Sequence, residues 1–491
     1  MKFVKIIIMQ IYFFLSSFLF IFTSFSQNNL EKAITNFQRD AVNKNAIISF
    51  LAIDLQTGEK VGDLNSSKAI VTASTTKLFS TATAIEVLGS SKKTATRIYH
   101  SGEINSKGEL TGDIWIRGGG DVSLGSKYFS KESKELDFLI DWADSLIQKG
   151  IKKIQGSVIA DASDFGYKGT PFGWHEGDIG NYYGAFASGL NFYDNTIKIF
   201  FKTGAVGSKA QLIDIYPNVP GLSIANSVVA AKVGGDDSSI SGIAYSLSRK
   251  ISGRLPANRD RFVVKGSMPD PEYLLIHELV RVLKAKGIEV VGSSKTVRLN
   301  KLTKPNYEKD LKLLFQQESK SIKEIAYWTN VKSVNLFAEG LLNLLGYFSS
   351  NDGSTESGLK VVRDYWKDKI NTTNLVLNDG SGLSRSNAIS AQHFCELLKY
   401  MTTSPNYLDF RSTFPVAGKN GTINTLCKGG AGEGRVFAKS GTLKNIKSFA
   451  GYVDTKAGKK IAFALIVNNF SCSSYDITMK MEKVINAIAE Y

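Results

Sequence analysis

The sequence predicts an α/β (α+β) architecture, with one sheet drawn from both chain ends, helices flanking it, and a large, mostly-β insertion interrupting it. Three observations predict this. Strand patterns bracket the chain, at Ile47 to Asp54 and Lys60 to Leu64 near its start and at Gly434 to Ala438 and Ile446 to Val453 near its end. Helical apolar periodicity dominates from Asp270 to Met401. Between these regions, Thr94 to Gly266 is rich in glycine and in alternating runs such as Gly112 to Arg117, Thr196 to Phe200 and Arg261 to Lys265.

The elements follow in order. Lys2 and Lys5 precede an apolar run from Ile6 to Phe22, and Ser24-Phe25-Ser26 supplies a small-x-small cleavage site. This reads as a Sec signal peptide over residues 1–26, which sends the chain to the periplasm or cell envelope. The alternative is an uncleaved membrane anchor; no cysteine is placed to make a lipoprotein. Asn28 to Ala41 reads as an amphipathic helix, and Gln56-Thr57-Gly58-Glu59 joins the first two strands as a hairpin. An extended run, Lys68 to Thr72, then leads into an apolar helix from Leu78 to Leu88, stopped by Gly89. Ser74 is thereby expected at a helix N-terminus, among free backbone N–H groups, with Lys77 one turn on along the same face. The insertion, residues 94–266, carries one helix candidate, Glu132 to Gln148. The core resumes at Asp270-Pro271, where Asp as N-cap, Pro at the first position and Gly287 bracket a helix. Helical patterns follow at Lys320 to Thr329, Asn335 to Phe348, Glu356 to Ile370, Ser390 to Met401 and Tyr475 to Glu490. The core is thus discontinuous, residues 27–93 and 267–491.

Composition narrows the chemistry. The 491 residues carry 60 Lys and Arg against 45 Asp and Glu, a net charge of +15. Loss of Lys2 and Lys5 with the leader leaves the chain strongly basic, which favours peripheral association with anionic polymers or membrane surfaces, or serves solubility alone. No basic run interleaved with aromatics points to nucleic acid. Three cysteines and four histidines are scattered without metal-ligand spacing, so no metal is expected. Scarce histidine also argues against a Ser-His-Asp triad. No phosphate-binding or dinucleotide fingerprint is present, and no cofactor is expected.

Ser74-x-x-Lys77 is followed by Ser333-x-Asn335, ahead of an apolar helix, and by Lys439-Ser440-Gly441-Thr442, between two strand patterns. Each triplet is weak alone. Ser90-x-x-Lys93 falls in a polar connection, and Lys202-Thr203-Gly204 comes before the Ser-x-Asn element and inside the insertion. The order of the three motifs is the one found in penicillin-binding proteins and class A β-lactamases. From about Ile47 to the C-terminus the chain resembles the low-molecular-mass class C penicillin-binding proteins, the D-alanyl-D-alanine carboxypeptidase/endopeptidases. The resemblance also covers Gly118-Gly119-Gly120-Asp121, Gly173-Trp174 with Tyr182-Tyr183-Gly184-Ala185, and Asn378 to Arg385. Val334 stands where Asp is often found, and Ser440 where Thr is usual.

The resemblance implies a serine transpeptidase/β-lactamase-like fold with two inserted subdomains, and a serine DD-peptidase acting on peptidoglycan stem peptides and acylated by β-lactams. Ser74 would be the nucleophile and Lys77 its candidate base. Ser333 would relay a proton, and Asn335 would hold Lys77 and the substrate amide. Lys439, Ser440, Gly441 and Thr442 would take the terminal carboxylate, with the N–H groups of Ser74 and Thr442 as oxyanion hole. Asp178, Tyr183 and Arg385 would form a pocket for the free end of the stem-peptide side chain. Asp379-Gly380-Ser381-Gly382 and Gly118 to Gly120 read as tight turns rather than ligand loops. Two other functions fit parts of the pattern: a β-lactamase, against which the long insertion weighs, and a non-catalytic wall-binding protein, against which the intact motifs weigh.

Overall fold

Strand Ile47–Asp54 is buried along all but its first residue, as a strand covered on both faces must be. Its neighbours are the C-terminal strand Lys460–Asn468 on one side and Lys60–Leu64 on the other. The full order is Val436–Leu443, Ile446–Asp454, Lys460–Asn468, Ile47–Asp54, Lys60–Leu64, antiparallel throughout. The sheet expected from both chain ends is therefore present, joined through a strand, Lys460–Asn468, that the sequence patterns above do not include. This computed structural model describes residues 29–131 and 133–491; the leader assigned to residues 1–26 lies outside the described residues. Among the described residues, no helix is long and apolar enough to cross a membrane.

The period-2 alternation of the strands sorts side chains between two cores. Phe50, Phe463 and Leu465 face the C-terminal helix Ser474–Glu490 through Ile477, Val484 and Ile488. Leu51, Ile53, Ala464 and Ile466 face a helical layer that includes Lys77–Leu88, Asn335–Ser350 and Ala391–Thr403. Within that layer the Lys77–Leu88 helix is buried on every side from Lys77 to Ile85, which marks a central helix rather than an amphipathic surface one. The Lys439-Ser440-Gly441-Thr442 motif was expected to close a strand. It instead lies inside Val436–Leu443, the edge strand, whose backbone faces the turn carrying Ser74.

The interrupting region differs from its sequence reading in two ways. Its first part is not mostly β. A five-stranded sheet, ordered Ser294–Thr296, Val158–Asp161, Ile114–Arg117, Ala95–His100, Lys312–Glu318, packs against two helices, Asp137–Gln148 and Pro271–Ala285. Two of its strand pairs are parallel, and the chain crosses between Ile114–Arg117 and Val158–Asp161 through the first of those helices. Nor does this unit end at residue 266: it draws three strands and a helix from residues 271–318. The well-capped helix at Asp270-Pro271 marked a new element correctly, with Asp270 accepting from Tyr273 N, but its apolar face packs into the inserted unit. Capping specifies where a helix starts, not which sheet it covers. The second part, Thr196–Ser267, is all β, two three-stranded sheets.

Arg298 ties these parts together. Its guanidinium donates to Asp270 and, at 3.0 Å, to Glu272, both at the start of the Pro271–Ala285 helix, and lies 4.2 Å from the ring centre of Tyr245. Burial, then the neighbouring Asp270, pushes the Glu272 carboxyl up to about 8. A carboxyl raised in the folded state favours folding most below its unfolded value and loses that contribution as pH rises through about 8. Arg298→Ala leaves the buried Asp270 carboxylate without its partner and is expected to cost about 3–5 kcal/mol at neutral pH, and less in mild acid where that carboxylate takes up a proton. Urea unfolding at two pH values checks this; a loss that is small, or larger in acid, contradicts it.

Candidate active site

Ser74 does not sit at an α-helix N-cap. It lies in a short 3-10 turn, Ala73–Thr76, that runs directly into the Lys77–Leu88 helix. Ala73 is held at φ 49°, in the left-handed region, and hydroxyls pin the turn: Thr75 donates to Thr72 O at 2.8 Å, Thr76 to Ala73 O at 2.8 Å, and Ser448 to Thr72 O at 2.6 Å. Ser74 is left as the half-buried hydroxyl at the open side of the turn.

The amine of Lys77 is fully buried. Its Nζ lies 2.9 Å from Ser74 Oγ, 2.6 Å from Asn335 Oδ1 and 2.6 Å from the carbonyl oxygen of Ser381. Desolvation outweighs the attraction of Asp379 and Glu339, and the ammonium is pulled down to about 7. Lys439, equally buried, places Nζ 2.9 Å from Ser333 Oγ and 2.6 Å from its neighbour's carbonyl, Ser440 O. Burial, then Lys77, then Lys447 hold it well below the ordinary lysine range. Ser333 has φ 59° just before the Asn335–Ser350 helix, a conformation a non-glycine residue adopts only where its surroundings impose it. Thus Ser74, Lys77, Ser333, Asn335 and Lys439 converge from three distant stretches of chain.

The edge strand closes the site. A Cβ on Gly441 would stand 2.3 Å from Ser448 Oγ, 2.5 Å from Thr72 O and 2.9 Å from Ser74 N, so glycine there lets the strand pass against the Ser74 turn. Ser440 Oγ shares a hydrogen bond with Thr422 Oγ1 at 2.7 Å, and Thr442 Oγ1 accepts from Lys447 Nζ at 2.9 Å. Asp178 accepts from the Tyr183 hydroxyl at 3.1 Å, and Tyr183 O accepts from Asn335 Nδ2 at 2.7 Å. Burial and Asp178 push the Tyr183 phenol up, and Arg385, exposed nearby, opposes them. A small apolar cluster of Trp174, Ile179 and Leu383, with Leu443 against it, fastens all three segments together.

The motifs did not disclose what supports Lys77. Asp379, almost fully buried, accepts from Trp174 Nε1 at 2.9 Å, Gly382 N at 2.9 Å, Ser384 N at 2.7 Å and Asn387 Nδ2 at 2.7 Å. Glu339 accepts from Gly380 N and, at 2.7 Å, from Ser381 N; burial and the adjacent Asp379 push it up to about 8. Two carboxylates thus clamp the 379–384 turn that presents the Ser381 carbonyl to Lys77. The turn reading of Asp379 to Gly382 holds, with carboxylates rather than glycines alone as its anchors. The recoverable signal was Glu339, an acidic residue inside an otherwise apolar helix. Gly441→Ala tests the close approach of the strand: overpacking is expected to cost about 1–3 kcal/mol and to slow any reaction at Ser74. Unchanged denaturant unfolding contradicts it.

The chain is similar to known proteins along most of its length. Residues 27–490 match the D-Ala-D-Ala carboxypeptidase 3 (S13) family. The chain is 26% identical over 454 residues to a D-alanyl-D-alanine carboxypeptidase of an Actinomadura species, covering 90% of this chain and 81% of that one. It is 24% identical over 445 residues to the D-alanyl-D-alanine carboxypeptidase DacB of Haemophilus influenzae, covering 89% and 88%. The crystal structure of penicillin binding protein 4 from Haemophilus influenzae superposes with a TM-score of 0.79 at 22% identity, covering 93% of this chain and 99% of that one. A structure of that protein with a β-lactam superposes with a TM-score of 0.71, also at 22% identity, covering 91% and 97%. With a match spanning nearly its whole length, the chain belongs to the D-Ala-D-Ala carboxypeptidase 3 (S13) family of serine DD-peptidases.

Proposed function

We propose that this serine DD-peptidase, exported by its leader to the periplasm or cell envelope, hydrolyses D-Ala-D-Ala termini and D-Ala cross-links of peptidoglycan through an acyl-enzyme on Ser74. The observation that carries the reading is the set of neighbours around Lys77 Nζ. A neutral amine has two N–H donors and one lone pair. Asn335 Oδ1 and the Ser381 carbonyl only accept, and Ser74 Oγ–H alone can donate. The lone pair is therefore aimed at the nucleophile's proton, and burial supplies the neutral form near neutral pH.

The steps follow from that arrangement. Ser74 Oγ adds to the carbonyl carbon of the penultimate D-Ala as its proton passes to Lys77. Negative charge on the carbonyl oxygen is met by the N–H groups of Ser74 and Thr442, each worth about 3–4 kcal/mol where such donors have been removed from other enzymes. Ser333, bonded to Lys439, delivers a proton to the leaving amine and regains one from the Lys77 ammonium, which returns to its neutral form as the peptide C–N bond breaks. Water then attacks the ester, Lys77 takes the water's proton, and Ser74 recovers its own. Lys439, Ser440 and Thr442 hold the terminal carboxylate, with Lys447 on Thr442 adding positive charge. Asp178, Tyr183 and Arg385 receive the side-chain end of the stem's third residue, whose ammonium and carboxylate suit an Asp and an Arg fork.

Mass spectrometry of muropeptide digests tests the function. Pentapeptides are expected to lose one D-Ala and cross-linked dimers to yield monomers, with a long-lived penicillin adduct. Fast adduct turnover without muropeptide cleavage would make the protein a β-lactamase instead. Ser74→Ala is expected to lower turnover by at least about 1,000-fold while leaving stability near wild type. Lys77→Arg is expected to be similarly impaired, because guanidinium stays protonated. Acylation by either variant within a few-fold of wild type contradicts the assignments. Arg385→Ala and Asp178→Ala are each expected to slow cleavage of diaminopimelate-containing muropeptides about tenfold with little change in penicillin acylation. Equal losses on both substrates contradict the side-chain pocket.

A further inference from the structure

A cavity of about 490 Å³ lies between the inserted region and the helix that precedes Ser333, within the range of small-ligand and peptide pockets. Four lysines line it: Lys127, Lys198, Lys265 and Lys332. Tyr128 and Trp328 line it as well, with ring centres 5.2 Å apart. Among its described lining residues the carboxylates are Glu135 and Asp194, and Asp194 is engaged at 3.2 Å by Lys127 and at 2.5 Å by Ser126. The walls therefore carry a positive excess beside an aromatic surface.

Lys265 is placed at a cost to the fold, whereas Lys198, bonded to Tyr193, is held above its ordinary range. Lys265 and Lys198 are directly opposed on the paired strands Arg259–Ser267 and Thr196–Thr203. Like charges in register across a strand pair are destabilising. Burial, then Lys127 and Lys198, holds the Lys265 ammonium below its ordinary range. An anion entering the cavity would relieve that repulsion. Position fixes which anion. Lys332 immediately precedes Ser333, and Trp328 lies one turn earlier, on the helix Ile322–Val331. Ser333 is the group assigned to protonate the leaving amine, so whatever that amine carries departs on the Ser333 side.

We propose that this lysine- and aromatic-lined cavity holds the second, carboxylate-bearing stem peptide of a cross-linked substrate, the peptide whose side-chain amine is released. This rests on the DD-peptidase reading and extends it to cross-links. The lysines take the carboxylates of the departing stem, and Tyr128 and Trp328 cover its aliphatic segments. A released terminal D-Ala carries no second stem, so the lysines are expected to act only on cross-linked substrates.

The test is a Lys198→Ala/Lys265→Ala double variant assayed on three probes: cross-linked disaccharide-peptide dimers, monomeric pentapeptide muropeptide, and benzylpenicillin. KM for the dimer is expected to rise about tenfold, with pentapeptide cleavage and penicillin acylation unchanged. Thermal stability is expected to stay level or rise, since the substitution removes an opposed like-charge pair. Unchanged dimer cleavage overturns the proposal, and so does an equal loss on all three probes. Titration of dimer and of inorganic phosphate into Ser74→Ala separates a peptide site from a general anion site: dimer binding that depends on the two lysines supports it, and phosphate binding as tight as the dimer's overturns it. A wild-type protein that forms no penicillin adduct and cleaves no muropeptide overturns the DD-peptidase reading itself. Intact pentapeptide cleavage without dimer cleavage overturns only the cavity.

Discussion

Everything in the site depends on keeping the Lys77 amine out of water. An isolated ammonium is expensive to bury, and a lysine so placed sheds its proton unless carboxylates pair with it directly. Here the carboxylates stand one layer back. Asp379 and Glu339 spend their oxygens on the backbone of the 379–384 turn, and Lys77 meets that turn through the Ser381 carbonyl. The amine is thereby held by dipoles, with a field that moderates its loss of charge without restoring it to the ordinary lysine range. A direct Lys–Asp pair would hold the proton on the amine.

That constraint explains the architecture around it. The Lys77–Leu88 helix is central and enclosed because the amine at its start must be dry. The edge strand approaches through Gly441 because a side chain would strike the Ser74 turn. Ser333 accepts an unusual backbone angle because its hydroxyl has to meet Lys439 while Asn335 meets Lys77. The inserted region sends Trp174 onto Asp379 and Tyr183 onto Asn335, so it braces the site as well as widening it.

Much of this was legible in the sequence, for physical reasons that differ by element. The two-ended sheet was visible because its strands are short apolar runs with turn residues between them. The convergence of the five motif residues was visible because the acyl transfer proposed for them restricts side-chain type and the chain order pointed to these copies. The extent of the inserted unit was hidden: Ser294–Thr296 is a three-residue polar edge strand, Lys312–Glu318 an edge strand apolar only from Leu313 to Phe315, and nothing local says that they pair with Val158–Asp161 and Ala95–His100. The Asp379 and Glu339 clamp was hidden because a carboxylate bonded to backbone N–H groups leaves no spacing rule. The strand around Lys439 extended further than its apolar pattern, since a glycine and three polar residues mask it.

The central claim is that Lys77 is a neutral amine at working pH. Nuclear magnetic resonance of lysine labelled at the side-chain carbon next to Nζ, with Lys77→Arg to assign the signal, measures that directly in the full-length protein. A titration midpoint near about 7 is the result expected from its burial. A Lys77 signal that stays protonated up to the ordinary lysine range, near 10.5, would contradict the account.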